Sequence, residues 1–378
     1  MSARRPRVLQ VVQRFFPELG GTETHVAEVA GRLVRSGEVD VTVLATDRSG
    51  RLPRQDVVGG VPVLRRRSWP READLYLSPG IVPVIARGGW DLVHLQGVHT
   101  FVPPLGMLSA ALSRTPYVLT FHSGGHSSAA RSAVRGAQWA ALAPLLRRAD
   151  HLVAVSRFER GRFAEAAGID PARFTVIPNG GALPPVPADV VPVPGRIVSS
   201  GRLERYKGHH RAVAALPAVR REVPGAHLVV LGSGEFEGEL RRLAERAGVA
   251  DAVEIRSLPP ADRSAMAHEL ASASVMAAMS SYEAHPVAVM EGVTLGLPVV
   301  GLDVAGIGDL VEDGLVTGVP EDADDDAVAA ALVPALRATA ARGPVPHAPL
   351  DVELPTWETS AEALAQVYRD VLARRGRR

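Results

Sequence analysis

Val8-Leu9-Gln10-Val11-Val12, then Gly20-Gly21-Thr22, then Thr24–Arg35, then Val41-Thr42-Val43-Leu44-Ala45: this opening decides the fold. The outer pieces are short apolar runs of strand length. The glycines punctuate the chain, and the stretch between has helical periodicity. The same alternation continues outward. Asp91-Leu92-Val93-His94-Leu95, Tyr117-Val118-Leu119-Thr120-Phe121 and His151-Leu152-Val153-Ala154-Val155 read as further strands with helical stretches between them. Strands alternating with helices predict a parallel sheet covered on both faces.

Residues 183–195 carry five prolines and no periodicity, which predicts a semi-rigid linker. A second α/β series follows, with strands at Arg196–Ser200, His227–Leu231, Val253–Leu258, Ser274–Met279 and Pro298–Leu302. Trp357, Leu364, Val367, Tyr368 and Leu372 put an apolar stripe on a last helix. The expected architecture is α/β, with two Rossmann-like domains at 1–185 and 186–355, a cleft between them, and a C-terminal helix (356–378) that crosses back to the first domain.

With no cysteine, a disulfide scaffold, a thiolate metal site and a cysteine nucleophile are all excluded. No apolar run reaches the roughly 18 residues of a membrane span, and no signal peptide is read at the N-terminus, so a cytoplasmic protein is expected. The net charge of +1 conceals an asymmetry: residues 1–185 hold 23 arginines and 14 acids, whereas 186–378 hold 19 bases and 27 acids. A basic half suits an anionic acceptor or peripheral contact with a membrane surface; it equally suits a solvated arginine face. Among 42 basic residues only Lys207 is lysine, and a compact ammonium is not interchangeable with a planar guanidinium.

The candidate chemistry lies where predicted strands end. Gly20-Gly21 opens a helix, whose start offers free N–H groups to an anion, although any strand–helix turn favours glycine. His122 closes a strand and precedes Ser123-Gly124-Gly125-His126; this is where parallel sheets bind ligands. A metal role for His122 and His126 lacks a third ligand at useful spacing. In the second half, Gly201-Arg202 through Lys207-Gly208 leaves a strand with two cations able to neutralise a leaving diphosphate without a metal. Gly232-Ser233-Gly234 ends the next strand, facing a nucleotide or simply turning the chain. Ser281-Tyr282-Glu283-Ala284-His285-Pro286-Val287 then leads into Glu291, with Pro286 suited to a first helical turn and Glu291 expected about two turns inside. Carboxylates there can accept hydrogen bonds from sugar hydroxyls.

Taken together, these stretches resemble a family-four glycosyltransferase of the GT-B fold. The matches are Gly20-Gly21-Thr22-Glu23-Thr24-His25-Val26, Val93-His94, Thr120-Phe121-His122, Ala154-Val155-Ser156-Arg157, Val176-Ile177-Pro178-Asn179-Gly180, Gly201-Arg202 with Lys207-Gly208, Glu283 with Glu291, Gly296 to Val300, and Gly306 to Gly314. The resemblance implies retaining transfer from a nucleotide-sugar without a metal. It implies that Arg202 and Lys207 hold the diphosphate, Glu291 the ribose, Glu283 the donor sugar, and that His122 lies near the reacting carbon. The catalytic set is therefore His122, Glu283, Arg202 and Lys207. The donor-binding set is Gly20, Gly21, Gly232, Ser233, Leu258, His285, Pro286, Val287 and Glu291, and the acceptor-side candidates are His94, Ser123 and His126. Many relatives carry Glu-Gly-Phe-Gly where this chain has Glu283-Ala284-His285-Pro286, and Pro286 offers no N–H to a ligand.

No cofactor is expected, because the nucleotide-sugar is a co-substrate, with UDP placed ahead of GDP. The acceptor class is a saccharide, a lipid-linked sugar or a natural product. The Asp322, Asp324, Asp325, Asp326 group contains Asp-x-Asp but precedes a helical stretch, where acids favour the N-terminus. Arg65-Arg66-Arg67 and the Arg374–Arg378 tail lack interleaved aromatics, so nucleic acid is not expected as a partner. The competing functions are a nucleotide-sugar binder without turnover and a same-fold epimerase.

Overall fold

The computed structural model describes residues 4–18, 20–71, 75–123, 135–259 and 262–376. They form two compact units. The first takes the described residues up to 123, from 135 to 179, and from 355 onward; the second takes residues 180–354.

The first unit runs β1 (Arg7–Val11), α1 (Gly21–Ser36), β2 (Asp40–Asp47), β3 (Gln55–Val58), β4 (Val61–Arg67), α2 (Ile81–Arg87), β5 (Leu92–Gln96), α3 (Val102–Leu112), β6 (Tyr117–Thr120), α4 (Arg135–Arg148), β7 (His151–Ala154), α5 (Arg157–Ala167) and β8 (Phe174–Val176). The second runs β9 (Arg196–Ser200), α6 (His209–Glu222), β10 (His227–Leu231), α7 (Glu237–Arg246), β11 (Val253–Arg256), α8 (Arg263–Ala271), β12 (Val275–Ala278), α9 (Val287–Thr294), β13 (Val299–Leu302), α10 (Ala305–Glu312), β14 (Thr317–Val319) and α11 (Asp325–Arg342). The last helix, α12 (Trp357–Gly376), belongs to the first unit.

The first sheet has the order β3-β4-β2-β1-β5-β6-β7-β8, and the second β11-β10-β9-β12-β13-β14. Every pair of neighbours in them is parallel except β3 with β4. Because strand side chains alternate, both faces of the second sheet are apolar. Ile197, Leu228 and Val230 join the cluster under α6 and α11, while Val198, Val229 and Leu231 join the one under α9 and α10. In both sheets the winding reverses beside the first strand, at β1/β5 and at β9/β12. Loops leaving such a reversal diverge to opposite faces and open a crevice at the strands' carboxyl ends.

Several local expectations change. The proline-rich 183–195 segment is tied to the second unit: Leu183 packs against its core and the Val193 N–H donates to the Ser272 carbonyl at 2.9 Å. The strand expected at Val253–Leu258 ends at Arg256, since Pro259 and Pro260 follow and cannot donate to a ladder. The β3–β4 hairpin is an addition that the strand–helix alternation does not foretell. Within it Arg65 is buried, paired with Asp56 at 2.9 Å and donating to the Phe16 carbonyl, so this arginine is structural. Asp324 caps α11, its Oδ1 accepting from the Ala327 N–H at 2.8 Å, which accounts for the acidic group as a helix start.

Candidate active site

In the second unit, loops 201–208 and 279–286 leave the neighbouring strands β9 and β12 and are stitched together. The Ser281 N–H donates to the Tyr206 carbonyl at 2.9 Å, and Ser280 Oγ lies 3.3 Å from the Lys207 carbonyl oxygen. This places Lys207 Nζ 2.6 Å from Glu283 Oε1, to which Ser280 Oγ also donates at 2.8 Å. Lys207 Nζ lies 5.4 Å from the centre of the Tyr206 ring, whose hydroxyl accepts from Arg202 Nη2 at 2.8 Å. Arg202, Lys207 and Glu283 are therefore one contiguous group. Burial alone would lower the Lys207 pKa, but Glu283 and Tyr206 hold it above the ordinary lysine value. Arg202 is more exposed, pairing with Glu204.

The close approach of the two loops requires glycine. Gly208 has φ +73°, and a Cβ there would lie 1.7 Å from the Met279 carbonyl oxygen. Gly208→Ala should therefore cost about 2–4 kcal/mol, measured as a shift in chemical denaturation. A stability within about 0.5 kcal/mol of wild type, the scale of a surface effect, would contradict this packing. Gly232 serves the chain in the same way: its missing Cβ would meet the Gly201 carbonyl at 1.9 Å, and Leu203 N–H donates to the Ser233 carbonyl. The small residue at 232 thus has a packing reason independent of a ligand.

Pro286 caps α9 in an extended conformation, and Val287 begins it, so Glu291 sits just over one turn in, not two. Its side chain is only 4% exposed and is held by Arg263 from the start of α8, which no sequence pattern points to. His285 is buried. Leu258 is half-buried beyond β11, packed against the core that holds Val229 and Leu231.

In the first unit His122 follows β6 and its Nε2 lies 2.8 Å from Gln96 Oε1. The His25 ring meets it edge-on, 4.7 Å between centres, and His25 Nδ1 is 2.9 Å from Asn179 Oδ1. Burial, then His25 and His94, hold the His122 pKa well below its ordinary value. Gly20 is extended and caps α1, while Gly21 has open space where a Cβ would stand. Beneath them Arg14 pairs with the buried Glu23 at 2.8 Å.

His94 is corrected as an acceptor contact. It is fully buried, with Nδ1 2.7 Å from Tyr368 Oη and Nε2 2.7 Å from Thr120 Oγ1, so both nitrogens serve the interior. His126 lies outside the described residues. Ser123 is held by Glu159: the Ser123 N–H donates to Glu159 Oε1 at 2.8 Å, and its hydroxyl meets the same oxygen. Glu159 belongs to a Ser156-x-x-Glu159 capping box, readable in the sequence, in which its N–H donates to Ser156 Oγ at 3.1 Å.

Burial pushes the Glu159 carboxyl up to about 7, against the lowering effect of the Ser123 and Val155 hydrogen bonds. The native state therefore keeps a proton that the unfolded chain releases above its ordinary value of 4.5, and stability falls as pH rises from about 4.5 to about 7. Glu159→Gln should flatten this component, so that its stability relative to wild type improves by about 3 kcal/mol between about pH 4.5 and about pH 7.5. Neutral His25 and His94, lowered by burial to about 4 and about 3, act oppositely, losing stability as pH falls below 6.5. They do so in both proteins and cancel in the comparison. Parallel pH profiles for the two would refute the assignment.

Among the described residues no group of three His, Cys, Asp or Glu side chains is placed to hold a metal ion, and no helix is long and apolar enough to cross a membrane.

Two family models match the chain: Glycosyltransferase Family 4 over residues 19–181 and Glycosyl transferases group 1 over residues 193–338. The glycogen synthase of Mycobacterium tuberculosis is 30% identical over 409 residues, covering 98% of this chain and 96% of that protein. The GDP-mannose:cellobiosyl-diphosphopolyprenol alpha-mannosyltransferase of Xanthomonas oryzae is 28% identical over 301 residues, 77% of each chain. Among solved structures, sucrose-phosphate synthase from Thermosynechococcus elongatus superposes with a TM-score of 0.74 at 19% identity, covering 98% of this chain and 100% of that one. The chain belongs to glycosyltransferase family 4 and has the GT-B fold. It is a hexosyltransferase.

Proposed function

We propose that this enzyme transfers a hexose, with retention and without a metal, from a nucleoside-diphosphate sugar to a hydroxyl of a saccharide or lipid-linked acceptor. The observation that carries the reading is the Lys207–Glu283 pair at the β9/β12 reversal, with Arg202 joined to it through Tyr206. The acceptor oxygen bonds to the anomeric carbon as the bond from that carbon to the diphosphate oxygen breaks. The leaving diphosphate takes the acceptor proton. Lys207 and Arg202 stabilise the charge that develops on it, and this electrostatic work replaces a metal ion. Glu283 accepts hydrogen bonds from the donor hexose, Glu291 from the ribose, and His122 lies beside the sugar. The cradle of Gly20 and Gly21 at the start of α1 suits the phosphate side.

For the donor, the residues alone put UDP-sugars first. The name of the xanthomonad relative favours GDP-mannose, and we take that as the donor to test first. The experiment incubates purified protein with GDP-mannose, UDP-glucose and other nucleotide-sugars against a panel of saccharides and polyprenyl-diphosphate sugars. Transfer from one donor, lost in the Lys207→Ala, Glu283→Ala double variant, supports the reading. Tight donor binding with no transfer would make the protein a silent binder, and an altered sugar released without acceptor would make it an epimerase.

A further inference from the structure

The first unit contains a polar row that the transferase chemistry does not use directly. Gln10 pairs in register with His94 across β1 and β5, and Gln96 with Thr120 across β5 and β6. His94 and Gln96 are two residues apart on one strand and so share a face. Tyr368, from α12, comes down onto that face: its hydroxyl accepts from Gln10 Nε2 at 3.1 Å and lies 2.7 Å from His94 Nδ1.

The proton directions in this row follow from one another. A tyrosine hydroxyl has one proton; with its oxygen accepting from Gln10 Nε2, that proton is directed to His94 Nδ1, 2.7 Å away. A neutral imidazole with Nδ1 accepting carries its proton on Nε2, which donates to Thr120 Oγ1 at 2.7 Å. Gln96 Nε2, 3.4 Å from His94 Nδ1, turns its N–H side toward the same lone pair. That leaves Gln96 Oε1 toward His122 Nε2 at 2.8 Å, and a carbonyl oxygen can only accept.

We infer that Gln96 is a positioning residue that holds His122 as its Nε2–H tautomer, and that the Tyr368 hydroxyl on the C-terminal helix couples Gln10 to His94 within the row. His122 then keeps Nδ1 as an acceptor for a substrate hydroxyl. With the amides of Gln10 and Gln96 both turned over, every hydrogen bond would reverse and His122 would carry its proton on Nδ1. Tautomer and amide orientation are therefore one property of the whole row. The kinetic part of this inference rests on the transferase reading; the tautomer does not.

Long-range proton–nitrogen spectra of the full-length protein, with His122 assigned by its loss in His122→Asn, read the tautomer directly. Wild type should show one neutral form protonated at Nε2. Gln96→Leu should show averaged tautomers, with kcat down about 10-fold and KM changed less than about twofold. Gln96→Glu keeps an acceptor oxygen and should restore the single form. It should also move the His122 midpoint to higher pH, against the lowering influence of His25 on α1 and His94 on β5. A wild-type proton on Nδ1, or a Gln96→Leu spectrum like wild type, would overturn the inference. Should Gln96→Leu not fold, the Glu variant decides: an unmoved midpoint overturns it. If no nucleotide-sugar is turned over, the transferase reading fails, while the spectra still determine the tautomer.

Discussion

Lys207→Ala should lower kcat/KM for the donor by about 10³-fold, the scale of losing one preorganised charge at a developing anion. The ammonium stays charged because Glu283 and Tyr206 offset the cost of its burial, and it is fixed by a 2.6 Å contact that orients it before substrate arrives. Lys207→Arg should recover no more than about tenfold of the loss. In a chain whose other basic residues are all arginine, the exception stands where Glu283 Oε1 is already shared with Ser280, and a planar fork cannot enter that arrangement without displacing one partner. Removing the lysine also leaves a half-buried carboxylate with Ser280 alone, costing about 2 kcal/mol of stability. Denaturation curves must therefore accompany the initial rates. Because Lys207 and Glu283 act as a pair, Glu283→Gln added to Lys207→Ala should cost much less than it does alone. Transfer within about tenfold of wild type in folded Lys207→Ala would end the proposed role, since the group would then be supplying none of the charge stabilisation asked of it.

Much of this group is legible from residue type and order. Lys207 stands out by composition, and strand ends followed by glycine mark the crevice of a doubly wound sheet. The depth of Glu291 in its helix is harder to read, because Pro286 can precede a helix as its cap as readily as sit within its first turn. Contacts made across the fold leave no mark in the sequence. Arg263 reaches Glu291 from another helix, and Gln96 meets His122 from the neighbouring strand. Such pairs have no fixed sequence separation, so periodicity carries no trace of them. His94 misleads for a related reason: a strand histidine in a familiar motif looks functional until a hydroxyl from far along the chain is seen occupying it. The capping box at Ser156 and Glu159 differs, since its spacing is visible; only its reach to Ser123 needs the structure.

Deletion of residues 355–378 should unfold the first unit and spare the second. Helix α12 buries Trp357, Leu364, Val367, Tyr368 and Val371. At about 1.5–3 kcal/mol for each large apolar side chain, their loss amounts to roughly 10 kcal/mol, comparable with the whole stability of a typical domain. The polar consequences add to this. Ser360 Oγ no longer donates to the Pro178 carbonyl at 2.7 Å, and the buried His94 and Gln10 lose the Tyr368 hydroxyl. The second unit has its own two apolar clusters and draws nothing from α12 to build them. Calorimetry of the truncated chain should show one transition belonging to residues 180–354, and limited proteolysis should digest residues before 180 first. Tyr368→Phe serves as the graded control, with an expected cost of about 1–3 kcal/mol. It keeps the ring against His94 and removes only the hydroxyl, so it separates the hydrogen bonding of the row from the packing of the helix. Full-length thermal behaviour in the truncated chain would mean that the sheet bearing His122 closes its core without α12; the tautomer of His122 would then have to be set by β1 and β5 alone.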